Sequence, residues 1–223
     1  MRDVTLVFDL DGTLVDTAPD LIGALNAALA AEGLPPVALA DANHLVGAGV
    51  RALVERGLKE HGHSVSPERF DELMVIFLDH YVANIAFESR PFPQVEATLD
   101  SLALEGAKLA VCTNKLERLA RMVLDQLNLS ERFAAVGGGD TFGASKPDPR
   151  HLLGTIRQAG GDPARAIMIG DSATDLRAGR EAGIPVILVD FGYTDIPAKD
   201  LGADAVISEF SQLRAALRNL LPE

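Results

Sequence analysis

The sequence predicts an α/β protein: a doubly wound parallel sheet, interrupted once by an all-helical insert. Three observations carry this. Short aliphatic runs recur along the 223 residues, and they are apolar throughout rather than alternating. Segments with helical apolar spacing separate them. A strand buried on both faces reads as a continuous hydrophobic run, and a parallel sheet needs helical crossovers between its strands. The third observation is a stretch of roughly 70 residues after the first run that carries no strand pattern at all, long enough for a small domain of its own.

In chain order, residues 4–8 form the first expected strand. The first helix is expected from Thr17 to about residue 32, opened by a capping-box-like Thr17-x-x-Asp20 and stopped by Gly33-Leu34-Pro35-Pro36. A second helix is expected over about Val50–Glu60. A third starts at Ser66-Pro67 and repeats Phe70, Leu73, Met74, Phe77, Leu78 and Tyr81 on one face. The chain returns to α/β alternation near Pro91-Phe92-Pro93. Further strands are expected at Lys108–Cys112, 166–169 and Val186–Val189, with a weaker one at Ala205–Ile207. Leu116, Leu119, Met122/Val123 and Leu127 mark a helix after the second strand. Asp148-Pro149 reads as an N-cap followed by a first-turn proline, in a helix closed by Gly160-Gly161. Gly183 and Pro185 end another that begins near Ala173. On this reading residues 1–16 and 89–223 form the α/β core, and residues 17–88 form the inserted helical domain.

Composition narrows the activity. Against 32 Asp+Glu stand 20 Lys+Arg, a formal net charge of −12. Nucleic acids and anionic membrane surfaces both reward clustered positive charge, so neither is an expected partner. No run approaches the roughly 18 apolar residues of a membrane span. The single cysteine, Cys112, permits neither an intrachain disulfide nor a cysteine-based zinc site. With no leader-like segment ahead of the first strand, the expected location is the cytoplasm. Of the five histidines (His44, His61, His63, His80, His151), only His61 and His63 are closely spaced. They flank Gly62 and read as solvated loop residues.

In an open parallel sheet, reactive groups gather beyond the carboxyl ends of the strands. Asp9-Leu10-Asp11-Gly12-Thr13 follows the first strand, and Thr113-Asn114-Lys115 follows Cys112. Gly170-Asp171-Ser172-Ala173-Thr174-Asp175 follows Ile169. Between the last two lie Gly137-Gly138-Gly139-Asp140 and a loop with Ser145-Lys146-Pro147. Carboxylates drawn together this way repel unless a cation joins them, and an oxygen-only set without histidine suits Mg²⁺ rather than zinc. Asp9 and Asp11, two apart on extended chain, share a face. Lys146 and the Thr113 hydroxyl add a positive charge and a donor, a combination suited to phosphoryl transfer onto a carboxylate. Taken singly, Thr113 reads as a helix cap, Lys146 as a solvated lysine, Asp171 as an N-cap, Asp175 as a first-turn acid and Cys112 as a small buried hydrophobe. Asp9, an acid closing an apolar strand, has no comparably ordinary account.

Asp-x-Asp-Gly-Thr, Thr-Asn, Lys-Pro-Asp-Pro and Gly-Asp-Ser-x-x-Asp, in that order, resemble the four motifs of the haloacid dehalogenase superfamily. The helical insert resembles that family's cap. The resemblance implies Asp9 as a nucleophile that forms an aspartyl-phosphate and Asp11 as general acid and base. It implies Mg²⁺ held by the Asp9 carboxylate, the Asp11 backbone carbonyl and the Asp171 carboxylate, with Asp175 supporting these ligands. Thr113, Asn114 and Lys146 would hold the phosphoryl oxygens. The second carboxylate of the first motif implies phosphatase rather than dehalogenase chemistry, since a departing halide needs no proton.

Within the superfamily, Asp16-Thr17-Ala18-Pro19-Asp20-Leu21, the segment from Val46 to Arg56 and Gly138-Gly139-Asp140-Thr141 resemble the branch that hydrolyses 2-phosphoglycolate. The partner implied is a small phosphorylated metabolite, and the protein a monomer or homodimer. Gly47-x-Gly49 opening a helix offers backbone N–H groups to a small carboxylate, with Arg51 or Arg56 adding charge. A tight turn flanked by solvated arginines is the equal alternative. Another small phosphate monoester or pyrophosphate is the nearest rival substrate, and a non-catalytic binding protein of the same fold is the rival class.

Overall fold

The computed structural model describes residues 1–41, 46, 49–194 and 196–220. Gly47 and His44 therefore lie outside the described residues. The chain begins with β1 (Thr5–Phe8) and the two-residue β2 (Val15–Asp16), followed by α1 (Ala18–Ala30), α2 (Val50–Glu60) and α3 (Pro67–Ala83). After β3 (Arg90–Pro91) helices and strands alternate: α4 (Val95–Leu104), β4 (Lys108–Cys112), α5 (Glu117–Gln126), β5 (Ala135–Gly137) and α6 (Pro149–Gln158). Then follow β6 (Ala166–Gly170), α7 (Ala173–Ala182), β7 (Val186–Val189), α8 (Ala198–Leu201), β8 (Ala205–Ile207) and α9 (Leu213–Leu220). The fold divides into two compact units, Met1–Asp16 with Pro91–Glu223, and Thr17–Arg90.

In the first unit, six strands form one sheet in the order β5-β4-β1-β6-β7-β8. Every pair is parallel. β1 sits between β4 and β6, with Phe8 opposite both Val111 and Ile169. The strand order reverses at β1, so its carboxyl end opens on the crevice where such sheets bind ligands. All four β1 residues and all five of β6 are buried. This is why the runs are apolar throughout: helices cover both faces. Val7, Cys112, Met168, Leu152 and Ile156 belong to one continuous core on one side.

Two features of this unit escape the strand pattern. β5 is three residues long and ends in Gly137, too short for a periodicity to register. Leu116 is not part of a buried helix face: it is the N-cap position of α5 and 48% exposed, while Leu119, Ala120, Val123 and Leu124 face the core. The punctuation of α6 and α7 is as expected. Asp148 accepts from the Arg150 N–H at 2.9 Å, and Gly183 closes α7 with φ +69°.

In the helical unit, α1 packs against α3 and α2. Gly57 brings α2 against α1 so closely that a Cβ there would sit 2.7 Å from Leu25 Cδ1. α3 buries Phe70, Leu73, Phe77 and Tyr81, the centre of the expected stripe. The capping box at Thr17-x-x-Asp20 does not form: Thr17 makes no side-chain cap bond. Asp20 turns away instead and accepts from the Glu88 and Ser89 N–H groups, each at 2.9 Å, and from the Ser89 hydroxyl. It thereby staples the two ends of the unit's chain together. His63 is not simply solvated either. Its Nε2 lies 2.9 Å from Glu32, which also accepts from Arg69 Nε at 2.7 Å. These two partners hold the Glu32 carboxyl below its usual range. Asp20→Ala strands three donors, two of them buried with Asp20 or beside it, and is expected to lower stability by about 2–3 kcal/mol in urea titration.

Candidate active site

The loops beyond the carboxyl ends of β1, β4 and β6 bring together residues that are distant in sequence. Asp9 continues β1, and its own N–H donates to the Ile169 carbonyl at 2.9 Å. Its Oδ1 accepts from the Leu10 N–H at 2.7 Å and lies 2.9 Å from Lys146 Nζ. Lys146, from the loop ahead of α6, is 4% exposed, and its ammonium also donates to Asp175 Oδ1 at 2.6 Å. It is a buried counter-ion between two carboxylates, not a solvated lysine.

Asp175 is wholly buried in the first turn of α7. Its Oδ2 accepts from the Ser172 N–H at 3.1 Å and the Ser172 hydroxyl at 2.7 Å, closing a capping box. One carboxylate thus starts a helix and anchors Lys146. Asp171 is positioned by the Tyr193 N–H, which donates to its Oδ2 at 2.6 Å. Tyr193, from the loop after β7, was not legible as part of the site, and its hydroxyl also reaches Asp16. Gly12 has φ +79°, and a Cβ there would meet Asp171 Oδ2 at 2.4 Å. Both the backbone conformation and the space demand glycine.

Asp11 Oδ1 and Oδ2 accept from Lys115 Nζ at 2.7 and 2.9 Å. The Asp11 side chain is therefore turned to Lys115, which sequence reading placed on the same edge without a role. The position directly after Thr113-Asn114 was the available signal. Thr113 is 1% exposed, and its hydroxyl accepts from the Lys115 N–H at 3.2 Å rather than capping a helix. Asn114 Nδ2 donates to the Lys146 carbonyl at 2.9 Å, tying the two loops together. The glycines of the Gly137–139 stretch are packed rather than loose: a Cβ at Gly138 would lie 2.2 Å from the Glu117 nitrogen.

Asp9, Asp171 and Asp175 each place a carboxylate oxygen within 4.8 Å of the others. One lysine faces three acids. Burial, then the charges of Asp175 and Asp11, push Asp9 up to about 7 against the pull of Lys146. Burial, then the charges of Asp175 and Asp9, push Asp171 well above the carboxylate range. Burial disfavours the Lys146 ammonium, but Asp175 and Asp9 outweigh it and hold it protonated. The trio is an oxygen-only set short of positive charge, so a hard divalent cation fits it. Asp11 is outside that trio by its side chain; any share it has in holding a cation falls to its backbone carbonyl.

The helical-unit candidates are placed separately. Gly49 is the N-cap of α2 with φ +88°. Arg51 is on the exposed face of α2, its guanidinium 4.6 Å over the Phe70 ring, 3.3 Å from Glu55 and 3.9 Å from Asp71. Cys112 is fully buried, and burial pushes its thiol up to about 12. It is expected to resist a thiol reagent at about pH 8 in the native protein and to react fully once urea unfolds the chain.

A profile of the haloacid dehalogenase-like hydrolases matches residues 6–189. The chain is similar to a phosphoglycolate phosphatase of Caulobacter vibrioides, 50% identical over 221 residues covering 99% of this chain and 93% of that one. It is similarly 50% identical to a phosphoglycolate phosphatase of Agrobacterium fabrum, over 95% of this chain and 91% of the relative. Among solved structures, a predicted phosphoglycolate phosphatase from Haemophilus somnus superposes with a TM-score of 0.89 at 28% identity, covering 96% of this chain and 98% of that one.

Proposed function

This chain belongs to the haloacid dehalogenase-like hydrolases, and on that premise we propose that it hydrolyses 2-phosphoglycolate to glycolate and phosphate with Mg²⁺ as cofactor. The observation that carries the chemistry is Asp9, an acid at the switch point of a parallel sheet, bound to a buried lysine and facing two more carboxylates. The substrate is taken from the relatives at 50% identity, named phosphoglycolate phosphatases.

Asp9 attacks the phosphorus, and the bond from phosphorus to the glycolate oxygen breaks. Asp11 gives that oxygen a proton and later takes one from the water that cleaves the aspartyl-phosphate. One carboxyl thus serves both half-reactions. In this structure Lys115 Nζ donates to both Asp11 oxygens, and each oxygen keeps a further lone pair for the transferred proton. Lys146 and the Thr113 hydroxyl stabilise charge on the phosphoryl oxygens, and Asn114 keeps the Lys146 loop in place. The Asp9 and Asp171 carboxylates with the Asp11 carbonyl would hold Mg²⁺, which when bound neutralises charge on the phosphoryl group. Asp175 positions Lys146. We place this work in the cytoplasm, carried out by a monomer or homodimer.

Phosphate release from 2-phosphoglycolate, measured beside some twenty other phosphorylated metabolites, tests the reading. It is expected to be fastest on 2-phosphoglycolate and to vanish in EDTA. A faster sugar phosphate or pyrophosphate overturns the substrate assignment. We assign the substrate carboxylate to the segment holding Gly47, Gly49 and Arg51. Arg51→Ala is then expected to raise KM for 2-phosphoglycolate about fivefold or more while leaving KM for an aryl phosphate unchanged. An equal rise for both removes that assignment.

A further inference from the structure

The amino-terminal edge of the sheet carries a cavity of about 400 Å³. Val4 ahead of β1, Ile167 in β6 and Pro185 ahead of β7 line it, together with Arg2, Arg165 and Arg218. Because the strands are parallel, the cavity and Asp9 lie at opposite ends of β1, whose four residues span roughly 13 Å. It is a different place from the acid cluster.

Its charge runs against the rest of the chain. The sequence carries −12, yet three arginines line this cavity. No carboxylate among the described residues pairs with any of them. Glu105 also lines the cavity but is taken by Arg214. Arg165 Nη2 donates to the Arg2 carbonyl at 3.2 Å, which ties two of the arginine-bearing segments together. Like charges held together repel, and an anion between them relieves the repulsion.

We propose that this cavity binds a nucleoside diphosphate. Guanidinium groups match phosphate oxygens in pairs, and three of them exceed the charge of about −2 on one phosphate. Two linked phosphates balance them. Met1, Pro185 and Leu220, each partly exposed, offer an apolar wall to the remaining body of the ligand, and the volume is within the range of small-molecule sites.

Calorimetric titration of the full chain with ADP and with inorganic pyrophosphate, in metal-free buffer, tests this. ADP is expected to bind one to one, at least about tenfold more tightly than pyrophosphate and more weakly as salt rises. Arg165→Ala/Arg218→Ala is expected to weaken ADP at least about tenfold, with an unchanged thermal midpoint. Arg2→Ala is expected to act in the same direction. Unchanged ADP affinity in the double variant overturns the proposal, because binding is then elsewhere, as does the absence of heat at millimolar ADP. Pyrophosphate binding as tightly as ADP overturns the nucleotide class, since the apolar wall then contributes nothing.

Discussion

Asp9→Asn is expected to lower turnover by about 10⁴-fold or more while leaving the metal-free protein at least as heat-stable as the wild type. The amide keeps the shape and size of the side chain but cannot attack phosphorus. It also removes one of the two carboxylates that Lys146 contacts, within a cluster of three acids. Asp9 is held up at about 7 by burial and by its acidic neighbours, so its ionised form is a burden on the empty fold near neutral pH. Differential scanning calorimetry in EDTA, beside a phosphate-release assay, reads both effects. Residual activity within tenfold of wild type removes Asp9 from the nucleophile role. A marked fall in the melting point contradicts the account of crowded charge.

Lys146→Met is expected to act in the opposite direction on stability and in the same direction on activity. Lys146 is the one ammonium between Asp9 and Asp175, and without it the acids stand unpaired in a buried site. Breaking a buried pair by removing one partner costs about 3–5 kcal/mol, and the phosphoryl oxygens lose their cationic contact as well. The sign with pH follows from the raised carboxyls. Their folded-state pKa exceeds the unfolded value, so the penalty is present at higher pH and fades as falling pH protonates them. The deficit of the variant is therefore expected to shrink between about pH 8 and pH 5. Urea titrations across that window check it: a deficit that stays constant means that Lys146 contributes packing rather than charge.

Most of the α/β layering was legible, because burial on both faces forces a run such as Lys108–Cys112 to be apolar throughout, and a parallel crossover forces a helix after it. β5 was not, since three residues ending in glycine carry no period. Asp9, Thr113, Lys146 and Asp171 could be gathered in advance because each follows a strand or precedes a helix at one edge of the sheet. Their partners could not. Whether Asp20 caps its own helix or clasps Ser89 depends on a segment almost seventy positions away, and local spacing holds no record of that distance. The same applies to Lys115 on Asp11 and to Tyr193 on Asp171.

By itself, the amino-acid order determined most of the core strands, the helices of the insert, and the acids, threonine and lysine that stand at the reactive edge. Those are consequences of short-range periodicity and of the rule that parallel strands present their carboxyl ends together. Only the tertiary structure decided the pairing of charges: one buried lysine shared by Asp9 and Asp175, a second lysine on Asp11, and three arginines gathered at the far end of the same strands. Electrostatic energy depends on separation in space and on exclusion of water, and neither quantity is a function of position along the chain.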